Sequence, residues 1–269
     1  MWPLRTTALA AGLSVAIPTG RLVAQVDYRN LDHERPVATE DAYPVERHAF
    51  ELLLPFRSLR EHGGERLHLL PLELEYGIFD NAHVGVGLPL GAVEPADSET
   101  EWGLAGLKLF GLYNFNTEGP VLPALSLGAG MAFPVGSLAG AEIRVNLRAI
   151  ATRSWGLTRL HLNTARSFGS DNQPGAEFAP RWSHGLAVDR TLFRQSLLLV
   201  GGLVIQRAVR GAPVEANAAL GARYQLSPTL VLDAGVARRL RSRAGPDYDL
   251  TIGLSRAFGL SWLIPGRPR

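Results

Sequence analysis

From Arg47 onward the chain alternates apolar and polar residues over stretches of about eleven residues, each closed by a Gly, Pro, Asp, Asn or Ser cluster. A two-residue period places successive side chains on opposite faces of a strand, so one face meets an apolar environment and the other a polar one. In the last stretch Tyr248, Leu250, Ile252, Leu254 and Phe258 share a face, against Asp249, Thr251, Gly253, Ser255 and Ala257. The same split sets Leu230, Leu232 and Val236 against Asp233, Gly235 and Arg239, and Ile143, Val145 and Leu147 against Glu142, Arg144, Asn146 and Arg148. Residues 196–207 are apolar on both faces, so the pattern gives them no orientation. Twelve strands are predicted, over 47–57, 66–76, 82–92, 102–115, 121–133, 141–152, 157–168, 180–189, 196–207, 213–225, 229–240 and 247–258.

The connections alternate too. GIFDN, NTEGP, RSWG, TLFRQ and LSP are tight, whereas SLREHGGE, EPADSETE, VGSLAG, GSDNQPGAEF and RSRAGPD are mostly longer and more polar. An even-numbered antiparallel meander with short turns at one end and long loops at the other is the plan of an outer-membrane barrel. Closure has a physical cause: hydrocarbon offers no partner for backbone N–H and C=O, so a sheet in lipid can leave no edge. A soluble sandwich would alternate as well. Its strands are shorter, with a mode of ~5 to 6 residues. Aromatic residues at strand ends (Trp102, Tyr113, Phe133, Phe168, Trp182, Tyr224, Tyr248, Phe258) also suit membrane interfaces. The expected fold is therefore all-β, an antiparallel up-and-down transmembrane β-barrel of about twelve strands.

Composition narrows the possibilities. Hydrophobic residues make up 46% of the chain and charged residues 19%, enough apolar material for a large buried surface, yet no apolar run past the N-terminus reaches the ~18 residues of a spanning helix. Cysteine is absent, which removes disulfides, thiolate metal sites and cysteine nucleophiles. Lys+Arg 27 against Asp+Glu 25 is near parity and dispersed, unlike a nucleic-acid surface. Residues 1–24 combine Arg5, an apolar stretch from Ala8 to Ile17, the breakers Pro18 and Gly20, and Ala24, which reads as a secretory signal peptide lacking a full A-x-A box. The expected order is a signal peptide (1–24), a lead-in or plug (25–46), the barrel (47–258) and a tail (259–269). The expected location is the outer membrane, with its lipid and the barrel-insertion machinery as partners.

On the polar faces Glu51, Glu73, Glu75, Lys108, Arg144, Arg148, Arg159, His161, Asp189, Glu215, Arg223, Asp233 and Asp249 are expected to line the lumen. They form either a cross-strand salt-bridge network that narrows the barrel or a selective pore lining. Lys108 is the only lysine, set among apolar neighbours, and reads as the centre of an ion-pair cluster. No catalytic constellation emerges. Ser183 and His184 are adjacent and face opposite ways, His161 and Ser167 are in phase but about 20 Å apart, and no histidine pair has metal-ligand spacing. No cofactor, metal or enzymatic activity is expected.

The stretch RPVATEDAYPVERHAFEL, with Arg35, Pro36, Thr39, Glu40, Asp41 and Ala42, resembles the entry motif of the family called putative MetA-pathway of phenol degradation. GLAGLKLF (Gly103, Gly106, Lys108) and the closing hairpin with Asp233, Gly235, Asp247, Tyr248 and Gly253 add to the resemblance. It implies a transporter-like outer-membrane barrel for small hydrophobic or aromatic compounds. One departure is the tail LSWLIPGRPR beyond Phe258, where such barrels usually stop at an aromatic residue. Glu40 and Asp41 are expected at the periplasmic mouth or folded into the lumen, where Arg144 and Arg148 could receive them.

Overall fold

Alternation closes the chain into a barrel. The computed structural model describes residues 25–61, 63–96, 99–169, 182–193, 195–207, 213–241, 245–260 and 263. The expected signal peptide and most of the tail, Trp262 included, lie outside the described residues. The strands are β1 (Ala49–Glu61), β2 (Arg66–Phe79), β3 (Ala82–Glu94), β4 (Glu101–Leu104), β5 (Leu107–Asn116), β6 (Ala124–Phe133), β7 (Arg144–Trp155), β8 (Thr158–Phe168), β9 (Trp182–Leu192), β10 (Leu197–Arg207), β11 (Glu215–Ser227), β12 (Leu230–Arg241) and β13 (Pro246–Gly259). Each pairs antiparallel with its neighbour in sequence, except that β4 and β5 both pair with β3; β1 joins β13 and β2 joins β3, which closes the sheet.

β4 and β5 are one interrupted strand, so thirteen segments make a twelve-stranded barrel. The interruption departs from the continuous strand expected over 102–115. Gly106 takes a left-handed φ of +123°, and the loop 134–143 folds over the break, with the Leu138 amide donating to the Leu104 carbonyl at 3.0 Å. A second departure is at 117–123, a folded loop rather than a tight turn. Arg153 organises it by donating to the carbonyls of Gly119, Pro120 and Leu122.

Outward positions are apolar and exposed, as in Leu203 (49%), Ile252 (52%) and Leu162 (51%). Aromatic residues gather on this face near the short turns, where Phe50 stacks on Phe258 at 5.3 Å and meets Tyr76 at 4.6 Å. The unreadable strand, β10, resolves itself: Leu198, Val200 and Val204 point inward and are buried, while Leu199, Leu203 and Ile205 point outward. Both faces are apolar because the inner one packs against Val26, Leu31 and Val37, which lie inside the barrel.

Candidate functional site in the barrel lumen

Residues 25–48 run through the lumen. Both ends of this segment sit at the short-turn end: the Val26 amide donates to the Pro228 carbonyl between β11 and β12 at 3.0 Å, and the His48 amide to the Gly77 carbonyl of β2 at 2.8 Å. Between these ends the chain bears no long hydrophobic stretch; it pairs with itself at a few points, as where the Asp41 amide donates to the Leu31 carbonyl, and its remaining buried amides and charges need partners from the wall.

The wall supplies them in four clusters. In the first, Arg223, Asp32, Arg35 and Asp233 form an alternating chain at 2.9, 2.6 and 3.0 Å. Arg223 and Asp233 face each other in register across β11 and β12, yet each turns its charge to the segment. Arg35 also donates to Ser255 at 2.8 Å. In the second, Arg57 bridges Glu34 (2.7 Å) and Asp249 (2.6 Å). In the third, Arg148 meets Glu40 at 3.2 Å, while the Asn163 amide clamps the Glu40 backbone, accepting its N–H and donating to its carbonyl, each at 2.8 Å. In the fourth, Arg159 joins Asp41 (3.2 Å) to Asp189 (2.6 Å), and Asp189 also meets His161 at 3.0 Å. The next residue, Ala42, has its amide on Thr152 at 3.0 Å, and its carbonyl accepts from Ser126 (2.5 Å) and Asn114 (2.8 Å).

Space for the segment comes from glycine. A methyl at Gly235 would overlap the Pro36 carbonyl, and one at Gly221 would fall 2.7 Å from the Pro36 ring. The inward faces of β11 and β12 are therefore notched where Pro36 crosses them.

Burial and charge compete along the segment. For Glu40, burial outweighs the pull of Arg148 and raises the carboxyl to about 7. Burial also pushes Asp41 up, against Arg159 and the amides of Tyr43 and Leu31. Glu34 goes the other way: burial raises it, but Arg57 leads a larger opposing pull from the surrounding positive groups, and the group settles at about 2. His33 is lowered to about 3, chiefly by burial and next by Arg148. Its side chain is 36% exposed to the lumen, so water blunts that shift more than it does for Glu40 at 8%.

The expected lumen residues divide into those that meet the segment and those that do not. Arg148, Arg159, Arg223, Asp233 and Asp249 pair with it directly, and Asp189 and His161 do so one step removed. Glu51 and Glu75 oppose each other in register across β1 and β2, two like charges in direct apposition. His83 Nδ1 lies 3.7 Å from Glu75 but accepts the Val45 amide at 3.1 Å, so that nitrogen is not a cationic partner. Glu215 takes a hydrogen bond from Gln206 near the long-loop end. Arg144 begins β7 with its own interaction. Glu73 and Lys108 flank Gly87 from either side. Among the described residues Lys108 makes no ion pair, so its reading as the centre of a cluster does not describe this arrangement; it stands partly exposed beside Glu73 and Phe110.

Asp32, Glu34 and Arg57 were not singled out from the sequence, and Asn163 and Ser255 only as members of a polar face. Arg57 and Ser255 are in phase with Glu51 and Thr251, so alternation carried that signal; Asp32 and Glu34 lie in irregular chain, where no period applies. Thr152, His161 and Asp189 form a hydrogen-bonded line, at 3.0 Å on each side of the imidazole, of the kind that activates a nucleophile. Here the Thr152 hydroxyl accepts the Ala42 amide and is fully buried, so the line anchors the segment.

No protein-family model and no curated protein matches the sequence. Among solved structures, the chain is similar to the COG4313 outer membrane channel from Pseudomonas putida F1, with TM-score 0.64 and 17% identity over 81% of this chain and 98% of that one. It is also similar to the NanC porin, with TM-score 0.50 and 6% identity over 78% of this chain and 100% of that one. At these identities the likeness is one of fold.

Proposed function

We propose that the protein is an outer-membrane channel for small solutes whose lumen is closed by its own residues 25–48. The observation that carries this reading is that residues 25–48 occupy the lumen and are held there by ion pairs and hydrogen bonds to wall side chains. Inward positions Gly128, Gly185, Gly202, Gly221, Gly235 and Gly253 are bare. An eight-stranded barrel fills with side chains and a 16-stranded one holds water, so twelve strands with a glycine-lined wall leave a passage once the segment moves. Outer-membrane placement follows from the apolar outer face, the two-ended loop pattern and the signal-peptide-like start. The resemblance to the MetA-pathway family supports hydrophobic or aromatic compounds as solutes. The outward aromatic Phe258 supports recognition by the barrel-insertion machinery.

His33, Glu34, Glu73, Lys108 and Phe110 are only partly buried, and Glu73 and Lys108 flank Gly87. Lys108 acts electrostatically on both His33 and Glu34. This sector is the solute path on our reading, with Lys108 its unpaired cation. A permanently sealed barrel is the second reading, favoured by the four clusters that hold the segment on nearly every side. Planar-bilayer recording of the refolded full chain separates the two. A channel shows step conductance, enlarged in a chain lacking residues 26–45 or in the Asp41→Ala variant, and Lys108→Glu moves its reversal potential toward cation selectivity. Barrels that fold, shift on heating in electrophoresis and never conduct in any of these forms would leave only the sealed barrel.

A further inference from the structure

The outer face of the barrel carries cations where lipid should be. Toward the long loops Arg166, Arg207 and Arg238, on alternate strands β8, β10 and β12, point outward. Each lies near an aromatic ring: Arg166 and Phe168 at 5.9 Å, Arg207 and Trp182 at 6.0 Å, Arg238 and Tyr248 at 5.5 Å. Trp182 is the register partner of both Arg166 and Arg207, which sets these two in one row, while Arg238 is in register with Ala218 and Leu203, four residues along β10 from Arg207. Among the described residues none of these arginines is in an ion pair, and Arg207 Nε is shielded from water without an acceptor. The opposite end differs. There the outward Arg153 is held by Glu118 and loop carbonyls, and Arg190 donates to Thr158.

Two furrows open on this outer sector. One, of about 560 Å³, has Gly201 and Ala218 as its floor, Leu203, Leu220 and Val236 as walls, and Arg238 at its rim. The other, of about 510 Å³, has Ala149 and Ala165 as its floor, Leu147 and Trp182 as walls, and Arg166 at its rim. Beside Arg166 an exposed polar pair, Thr164 and His184, is joined at 2.9 Å. An arginine on a barrel's lipid face is costly at the bilayer midplane and nearly free at the interface. Three in one sector, with no carboxylate among the described residues paired to them, fit an anion brought from the bilayer. Apolar furrows directly beneath fit its chains.

We propose that this sector binds a phosphorylated, multiply acylated lipid, with its phosphates on Arg166, Arg207 and Arg238 and its chains in the two furrows. The site rests on the membrane-barrel reading above. It selects for headgroup and tail together: guanidinium forks take phosphate in bidentate geometry, and the floors of Gly and Ala let chains lie against backbone.

The test is native mass spectrometry of the refolded full chain, offered a diphosphorylated hexa-acyl lipid, its dephosphorylated form and inorganic phosphate. The diphosphorylated lipid is expected to stay bound, and the dephosphorylated form and free phosphate are expected to leave. Arg166→Gln and Arg238→Gln should each weaken binding about tenfold, the loss of one charge-assisted contact. Ala218→Leu, which fills a furrow and keeps every charge, should weaken it as well, while Arg190→Gln at the other end should change nothing. Equal retention of the dephosphorylated lipid, competition by phosphate alone, or full retention in all three weakened variants would overturn the site. The heat-dependent electrophoretic shift is read in parallel. Its loss in the wild type sinks the barrel reading, whereas its presence without lipid selectivity sinks only the lipid site.

Discussion

Replacing Asp41 with alanine should undock the luminal segment while leaving the barrel intact. Asp41 is 1% exposed and makes three contacts: one oxygen accepts the Leu31 amide at 3.1 Å and Arg159 at 3.2 Å, and the other accepts the Tyr43 amide at 3.1 Å. Alanine leaves two amides without an acceptor, Leu31 buried and Tyr43 partly buried. Arg159 keeps Asp189 and the Arg29 carbonyl, so the cation is not stranded. Breaking a buried pair from one side costs about 3–5 kcal/mol, and water entering the lumen places this case toward the lower end. At 1.4 kcal/mol per tenfold, the undocked population should rise about 10²–10³-fold. Hydrogen exchange on the reconstituted full chain reads this directly. Amides in residues 26–45 should speed up by that factor while those of β7 to β9 do not, because each strand keeps both sheet neighbours. A change below about fivefold in the segment would show that Asp41 does not hold it. Equal acceleration of segment and strands would show that they unfold as one unit.

Glu40 predicts a pH dependence. Its docked value of about 7 lies above the ordinary 4.5, so docking is strongest below about 4.5 and weakens as pH rises through 7. Glu34, held at about 2 by Arg57, contributes the opposite limb, present above 4.5 and lost toward pH 2. His33 docks in the neutral form and favours docking as pH rises toward 6.5, which partly offsets Glu40. Segment exchange in wild type and Glu40→Gln at pH 5 and 8 isolates the Glu40 share, and identical pH profiles would refute it. Gly235→Ala places a methyl on the Pro36 carbonyl, so single-channel conductance should rise without loss of the heat-shifted barrel band; unchanged conductance would show that the notch is not needed. Ile252→Arg, outward on β13, should lower barrel stability in bilayers by about 2–4 kcal/mol in a denaturant titration, and an effect near zero would place that face away from hydrocarbon.

Period-2 patterning alone determined the strand count and most strand limits to within a few residues, and it put the residues from Glu51 to Asp249 on the polar face, because lipid and lumen impose opposite demands on alternate residues. Where that contrast vanished, legibility vanished with it. β10 is apolar on both faces because it touches lipid outside and Val37 inside, and only the packed chain shows which leucines go where. The pairing of charges was also beyond the pattern. Arg223 and Asp233 look like partners in register, yet they bind Asp32 and Arg35, because residues 25–48 have no period of their own and their path is set by where buried charges and amides find partners. The sequence thus determined a wall with two faces. Tertiary structure decided that the polar face is spent largely on holding the chain's own N-terminal segment, since charges removed from water must be met by the nearest opposite charge, whichever part of the chain carries it.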